Sequence, residues 1–245
     1  MTSSSNTGPD DVFFLGFDTA MDACQAAIVS RSGAIVAKAH EPMKRGHAEY
    51  LIPMIGGVLE AAGLELGDLT RIGVTVGPGT FAGLRVGLSA ARSFGLSHDI
   101  PIVGVTTLEA VAVTLPEPEA GQPLRAGVIA FDARNDEVYL QIVDPLGTLV
   151  VAPSVVDLAT AADAVPEGLV NLSGSGAPKL AEALAARSRA ADVNVVDESL
   201  WAPQAEWIAR LALVAPDDRV GPPSPLYLRP PDAKEPENGG ALPHA

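Results

Sequence analysis

The chain repeats itself, and this feature narrows its choice of fold more than any other. Phe17-Asp18 recurs as Phe131-Asp132 and Gly33 recurs as Gly147, both at an offset of 114 (131 minus 17, 147 minus 33). Gly77 and Gly79 recur as Gly174 and Gly176 at an offset of 97 (174 minus 77), so the second copy is shorter by 17 (114 minus 97). A unit present twice at a steady register implies two like lobes, the second with features lost.

Within the first copy, residues 12–18 read as a buried strand ending on an acid, and 26–30 with 34–37 flank the turn Arg31-Ser32-Gly33 as a hairpin. Leu51, Ile52, Met54, Ile55, Val58, Leu59 and Ala62 repeat at helical spacing, with Gly63 placed as a C-terminal cap and Pro53 as the expected site of a kink. A strand at 72–76, the glycine-rich loop 77–83 and a helix at about 84–96 follow, then a strand at 102–105. Thr106-Thr107-Leu108-Glu109 matches a capping box, which gives Glu109 a structural job.

The prolines and charges of 116–123 suit neither helix nor strand and mark a connector. The pattern then restarts with strands at 128–132, 138–143 and 149–151, and a last helix at about 204–214 carries Trp207, Ile208 and Leu211. The expected division is a first lobe at 12–115 and a shortened second lobe at 124–229, with 1–11 and 232–245 disordered. Repeated three-stranded meanders with alternating helices and strands describe an α/β fold of the actin, hexokinase and Hsp70 ATPase type, an inference by fold-level analogy.

Composition excludes several functions. Sixteen Lys and Arg face 30 Asp and Glu, for a net charge of −14. Nucleic-acid affinity rests largely on cations that displace phosphate counterions, so a chain of this charge does not hold RNA unaided. No apolar run has the roughly 20 residues that cross a bilayer, and 1–11 lack the regions of a signal peptide, so a cytoplasmic address is expected. Cys24 is the only cysteine and reads as a small buried hydrophobe. The four histidines show no metal-ligand spacing, no nucleophile with its base is visible, and His47 reads as a solvated helix-end residue.

The loop after the first strand, Asp18-Thr19-Ala20-Met21, offers an acid and a hydroxyl but no glycine to admit a phosphate to the backbone. The loop 77–83 matches neither the P-loop nor the dinucleotide fingerprint. In the helix after it, Gly87, Ala90, Ala91 and Gly95 thin one side, and interior glycines costing about 1 kcal/mol each point to close approach of another backbone, in this chain or in a partner. A stand-alone ATPase or kinase of this fold is the rival reading, supported by Asp18 and opposed by the missing glycine.

The segment Val76-Gly77-Pro78-Gly79-Thr80-Phe81-Ala82-Gly83-Leu84-Arg85-Val86-Gly87 resembles the signature of the TsaB family, with Thr80 and Ala82 as mild variants. His47-Ala48-Glu49-Tyr50-Leu51-Ile52-Pro53-Met54, Asp132-Ala133-Arg134, Glu137-Val138-Tyr139 and Tyr227-Leu228-Arg229-Pro230 resemble further family segments, so the likeness spans about 13–229. It implies a non-catalytic dimerization subunit that pairs with the catalytic relative TsaD through helices of the first lobe. TsaE then joins, and the complex threonylcarbamoylates N6 of the adenosine next to the anticodon in tRNA, which this chain meets only through the complex. Alone, the chain could pair with a second copy through the same helices.

On this resemblance the partner interface is expected at His47, Leu51, Met54, Val58, Leu84, Gly87 and Ala91. Gly77, Gly79, Thr80 and Arg85 are expected at the mouth of a composite ATP or ADP pocket formed only in the complex, the chain having no cofactor of its own. TsaD carries two metal-binding histidines where this chain has Thr107 and Val111, and neither side chain replaces imidazole.

Overall fold

The computed structural model describes residues 12–118, 120–188 and 192–229, so the expected disorder at both ends lies outside the described residues. In the first sheet, β1 (Phe13–Asp18), β2 (Ala23–Ser30) and β3 (Ile35–Pro42) run antiparallel. β4 (Leu69–Gly77) and β5 (Ile102–Thr106) add parallel on the other side of β1, giving the order β3-β2-β1-β4-β5.

The second sheet repeats this with β6 (Ala126–Asp132), β7 (Glu137–Val143), β8 (Leu149–Asp157), β9 (Val170–Ser173) and β10 (Val193–Val195), in the order β8-β7-β6-β9-β10. Phe17-Asp18 and Phe131-Asp132 close β1 and β6, and Gly33 and Gly147 turn the two hairpins at φ 79° and 83°. The duplication is thus carried by the backbone as well as by the residues.

The shortening falls on the helices. α1 (His47–Ala62) and α2 (Phe81–His98) have 16 and 18 residues, whereas their counterparts α4 (Leu158–Ala164) and α5 (Ala177–Ala185) have seven and nine. α1 buries Leu51, Ile55, Val58 and Leu59, ends on left-handed Gly63 as its spacing predicts, and continues through Pro53. The Glu49 carbonyl loses an intrahelical donor there, on an exposed residue open to water. α2 starts three residues earlier than periodicity indicates, because the Gly83 N–H donates to the Thr80 hydroxyl at 3.2 Å and makes Thr80 the N-cap. α4, β9 and β10 are too short for hydrophobic periodicity to reveal.

The two remaining helices cross between the lobes. α3 (Thr107–Ala112) follows β5 but packs Leu108 and Val111 with Ile129 and Phe131 of the second sheet. α6 (Ala205–Val214) follows β10 but packs Ile208 and Ala212 with Val103 and Val105, and Ala209 with Phe14 and Val29. The expected second lobe therefore loses its last helix to the first, whose sheet would otherwise leave one apolar face bare. The chain prepares this contact at Gly73, where a Cβ would lie 2.6 Å from the Ile208 carbonyl oxygen. Buried Gln25 fixes the helix start, donating to the Pro203 carbonyl at 2.6 Å and accepting from the Ala205 N–H at 3.1 Å.

The capping box at α3 is present, with the Glu109 N–H donating to the Thr106 hydroxyl at 2.9 Å. The Glu109 carboxylate also takes both guanidinium nitrogens of Arg219, at 2.7 and 3.0 Å.

Replacing Gly73 with Ala forces a methyl group into the α6 backbone. The expected outcome is a loss of about 1–3 kcal/mol, read as a lower urea midpoint at unchanged slope.

Candidate functional site

Two surfaces collect the residues that sequence singles out: the cleft between the lobes, and the outer face of α1 and α2. In the cleft, the loop after β1 is sealed by its own chain. Asp18 is fully buried; its Oδ1 accepts from the Thr75 hydroxyl and from the Ala20 N–H at 3.0 Å, while Oδ2 has no partner. Burial raises the carboxyl above its ordinary value, against the lowering effect of those bonds.

The glycine loop closes over this segment. The Thr80 N–H donates to the Ala20 carbonyl at 2.8 Å and the Thr19 hydroxyl to the Gly83 carbonyl at 2.7 Å. A Cβ at Gly79 would lie 2.6 Å from the Ala20 oxygen, and one at Gly87 2.8 Å from Thr19 Oγ1. These glycines therefore serve close approach within the chain, and a nucleotide phosphate does not fit between Asp18 and this loop. The counterpart acid, Asp132, stays open, paired with Lys179 at 2.8 Å, and its N–H donates to the Ser175 hydroxyl at 3.0 Å.

Beside the sealed loop a cleft of about 520 Å³ is lined by Met21, Thr80, Phe131, Asp132, Arg134 and Arg229, among others. Of the four residues expected at a nucleotide pocket, Gly79 and Thr80 line it. Gly77 lies instead under Leu226, whose carbonyl oxygen would be 2.8 Å from a Cβ there. Arg85 lies over the Phe81 ring at 3.9 Å and lines the groove between α1 and α2. The four do not form one site.

The expected partner interface is also corrected. Leu51, Val58, Leu84, Gly87 and Ala91 are buried in the chain's own core, and Met54 is half-buried against it. His47 is buried rather than solvated, with Nε2 3.1 Å from the Met21 carbonyl oxygen. Apolar spacing identifies the face of a helix that packs on its own sheet, so the face left for a partner is the opposite one.

The outer side of α1 and α2 carries a groove of about 460 Å³ lined by Ala48, Ile52, Arg85, Val86, Ser89 and Ser93, with the expected residue Leu51 at its floor. Ile52 is 50% exposed, Tyr50 54% and Phe81 56%. Gly56 and Gly57 sit in the interior of α1, where an added Cβ would meet nothing within 4 Å. These two glycines weaken the helix without serving a close contact among the described residues. The pair was available in the sequence as Gly56-Gly57 within an otherwise strong helical pattern.

Thr107 and Val111 are both buried on the inner side of α3, the Thr107 hydroxyl without a partner. No group of three or more His, Cys, Asp or Glu side chains suited to a metal occurs among the described residues. Cys24 is a buried free thiol, pushed up to about 11 first by burial and then by the Asp18 charge, and so behaves as a core hydrophobe. Among the described residues no helix is long and apolar enough to cross a membrane.

Two copies of one mixed five-stranded sheet, joined by exchanged helices around a cleft, define a duplicated fold of the actin, hexokinase and Hsp70 ATPase class. A crystal structure from Pseudomonas aeruginosa, described as an uncharacterized protein similar to peptidase YeaZ, shares it. The TM-score is 0.69 and the identity 24%, over 90% of this chain and 100% of that one.

The family model described as TsaD, tRNA N6-adenosine threonylcarbamoyltransferase, matches residues 25–196, so the chain belongs to this family, as a member of its TsaB type. An uncharacterized protein of Mycobacterium tuberculosis is 34% identical over 90% of this chain and 93% of its own length. The tRNA threonylcarbamoyladenosine biosynthesis protein TsaB of Escherichia coli is 33% identical over 51% of this chain and 52% of its own length.

Because the folded Asp18 carboxyl holds its proton above the ordinary value of 3.8, its contribution to stability is complete below about pH 4 and is lost as pH rises through the raised value. Asp18→Asn keeps an acceptor for Thr75 and Ala20 and has no charge to bury. The stability of this variant relative to wild type should therefore grow as pH rises from 4 to 8 in thermal unfolding, and a constant difference would acquit the carboxyl.

Proposed function

We propose that this chain is a non-catalytic subunit in the biosynthesis of threonylcarbamoyladenosine in tRNA, docking a TsaD partner on the outer face of α1 and α2. The observation that carries the reading is the unpartnered groove between these helices, with Gly56 exposed on α1 and Gly57 lining a second shallow groove between α1 and β3. The names of the Escherichia coli and Haemophilus influenzae relatives, both tRNA threonylcarbamoyladenosine biosynthesis protein TsaB, support the process.

A two-helix surface of this kind suits another helix pair packed at close range, and a stable pairing needs about 1,000 Å² or more of buried surface. The net charge of −14 favours an arrangement in which tRNA is gripped by the partner rather than by this chain. TsaE joins the pair in this reading. ATP or ADP is used only at the assembled interface, where Thr80 and Arg85 flank Phe81 from the cleft and the groove. The sealed Asp18 loop argues against a stand-alone ATPase.

Co-expression with the TsaD of the same genome, followed by size-exclusion chromatography and a tRNA-modification assay, tests the reading. A stoichiometric complex on which modification depends is expected, and ATP hydrolysis by the chain alone would replace this reading with the enzymatic one. Ile52→Asp and Gly56→Leu each change an exposed position of α1, so both variants should fold with wild-type stability and bind TsaD at least about 100-fold more weakly, a loss of about 2.7 kcal/mol. Thr80→Ala, on the cleft side and outside the docking groove, should leave pairing intact and slow the modification cycle.

A further inference from the structure

After α6 the chain returns along the first lobe and then leaves it. Val220 bridges to Val103, the Gly221 N–H donates to the Ile102 carbonyl at 2.9 Å, and Arg92 donates to the Pro223 carbonyl at 3.1 and 2.6 Å. The Leu226 N–H donates to the Val76 carbonyl at 2.7 Å, and the Tyr227 ring stacks on Phe81 with centroids 5.7 Å apart.

The next two residues belong to the other side of the cleft. Leu228 joins the apolar cluster that holds Ile129, Phe131 and Tyr139 of the second sheet, together with Leu108 and Val111 of α3 and Met21 of the first lobe. Arg229 pairs with Glu137 at 3.3 Å and donates to the Arg134 carbonyl at 3.4 Å. Four consecutive residues, 226–229, thus tie the end of β4 and the start of α2 to the turn between β6 and β7.

The position of this tie gives it leverage. The connector enters the second sheet at Ala126, the first residue of β6, whereas the tie grips it around Phe131 and Arg134, at the far end of that strand. Seven residues of strand separate the two by roughly 20 Å at about 3.3 Å per residue. A rotation of about 10° at the connector would move the tied end by roughly 3.5 Å, enough to break the Arg229–Glu137 pair. Holding the far end therefore adds leverage to the restraint that α3, through Leu108 and Val111, already places on the angle between the lobes.

We propose that residues 226–229 are a latch across the cleft, gripped by the first lobe through Leu226 and Tyr227, and that release of Leu228 and Arg229 lets the lobes open about the connector. The test uses the full chain with nitroxide labels on Glu60→Cys in α1 and Glu182→Cys in α5, both exposed positions, with Cys24 buried and out of reach of the label. The wild-type latch should give one narrow distance distribution by pulsed electron spin resonance. Leu228→Ala with Arg229→Ala should broaden it and lengthen its mean by several ångström while urea unfolding stays cooperative. An unchanged narrow distribution overturns the proposal. Loss of cooperative folding in that variant overturns it as well, because the segment would then be part of the core and not a latch.

Discussion

Everything in this molecule depends on the packing of α6 against the first sheet. The first lobe by itself is a sheet with α1 and α2 on one face and nothing on the other, and the strand residues Phe14, Val29, Val103 and Val105 need a cover. The cover comes from the end of the chain, admitted to backbone distance by Gly73 and fixed by the two hydrogen bonds of Gln25. α3 makes the reciprocal move onto the second sheet. With both helices between the sheets, neither lobe has a complete core without residues from the other half of the sequence, and the cleft takes its shape from that exchange.

The exchange leaves the two halves unequal where the fold class does its chemistry. Both copies end their first strand on an acid, but Asp18 is enclosed by Thr75, the Ala20 N–H and the glycine loop, while Asp132 faces the cleft with Lys179 and Ser175. A carboxyl enclosed on all sides leaves no room beside it for a cation or a phosphate, and the glycines that might have faced a ligand are filled by Thr19 and Ala20.

Much of the fold was legible because duplication and capping leave residue-level marks. The offsets of 114 and 97 tie the two lobes together, and Gly63, Thr106 and Glu109 terminate or start helices where their chemistry requires. The short elements α4, β9 and β10 were not legible, since three to seven residues hold too few turns or alternations to show a period. The burial of most residues expected at a partner interface has a different reason. Leu51, Val58, Gly87 and Ala91 are the positions that periodicity and small size single out, but both signals report burial and cannot name the surface against which a residue is buried.

The order in which the chain leaves the ribosome meets this architecture at an awkward point. β5 ends at Thr106, yet the helix that completes the first lobe ends at Val214, 108 residues later (214 minus 106). At about 5–20 residues per second, the first sheet waits roughly 5–20 s with the face around Phe14, Gly73 and Val103 exposed to whatever else is nearby. Synthesis of this protein therefore includes an interval in which half of it is present and cannot finish folding.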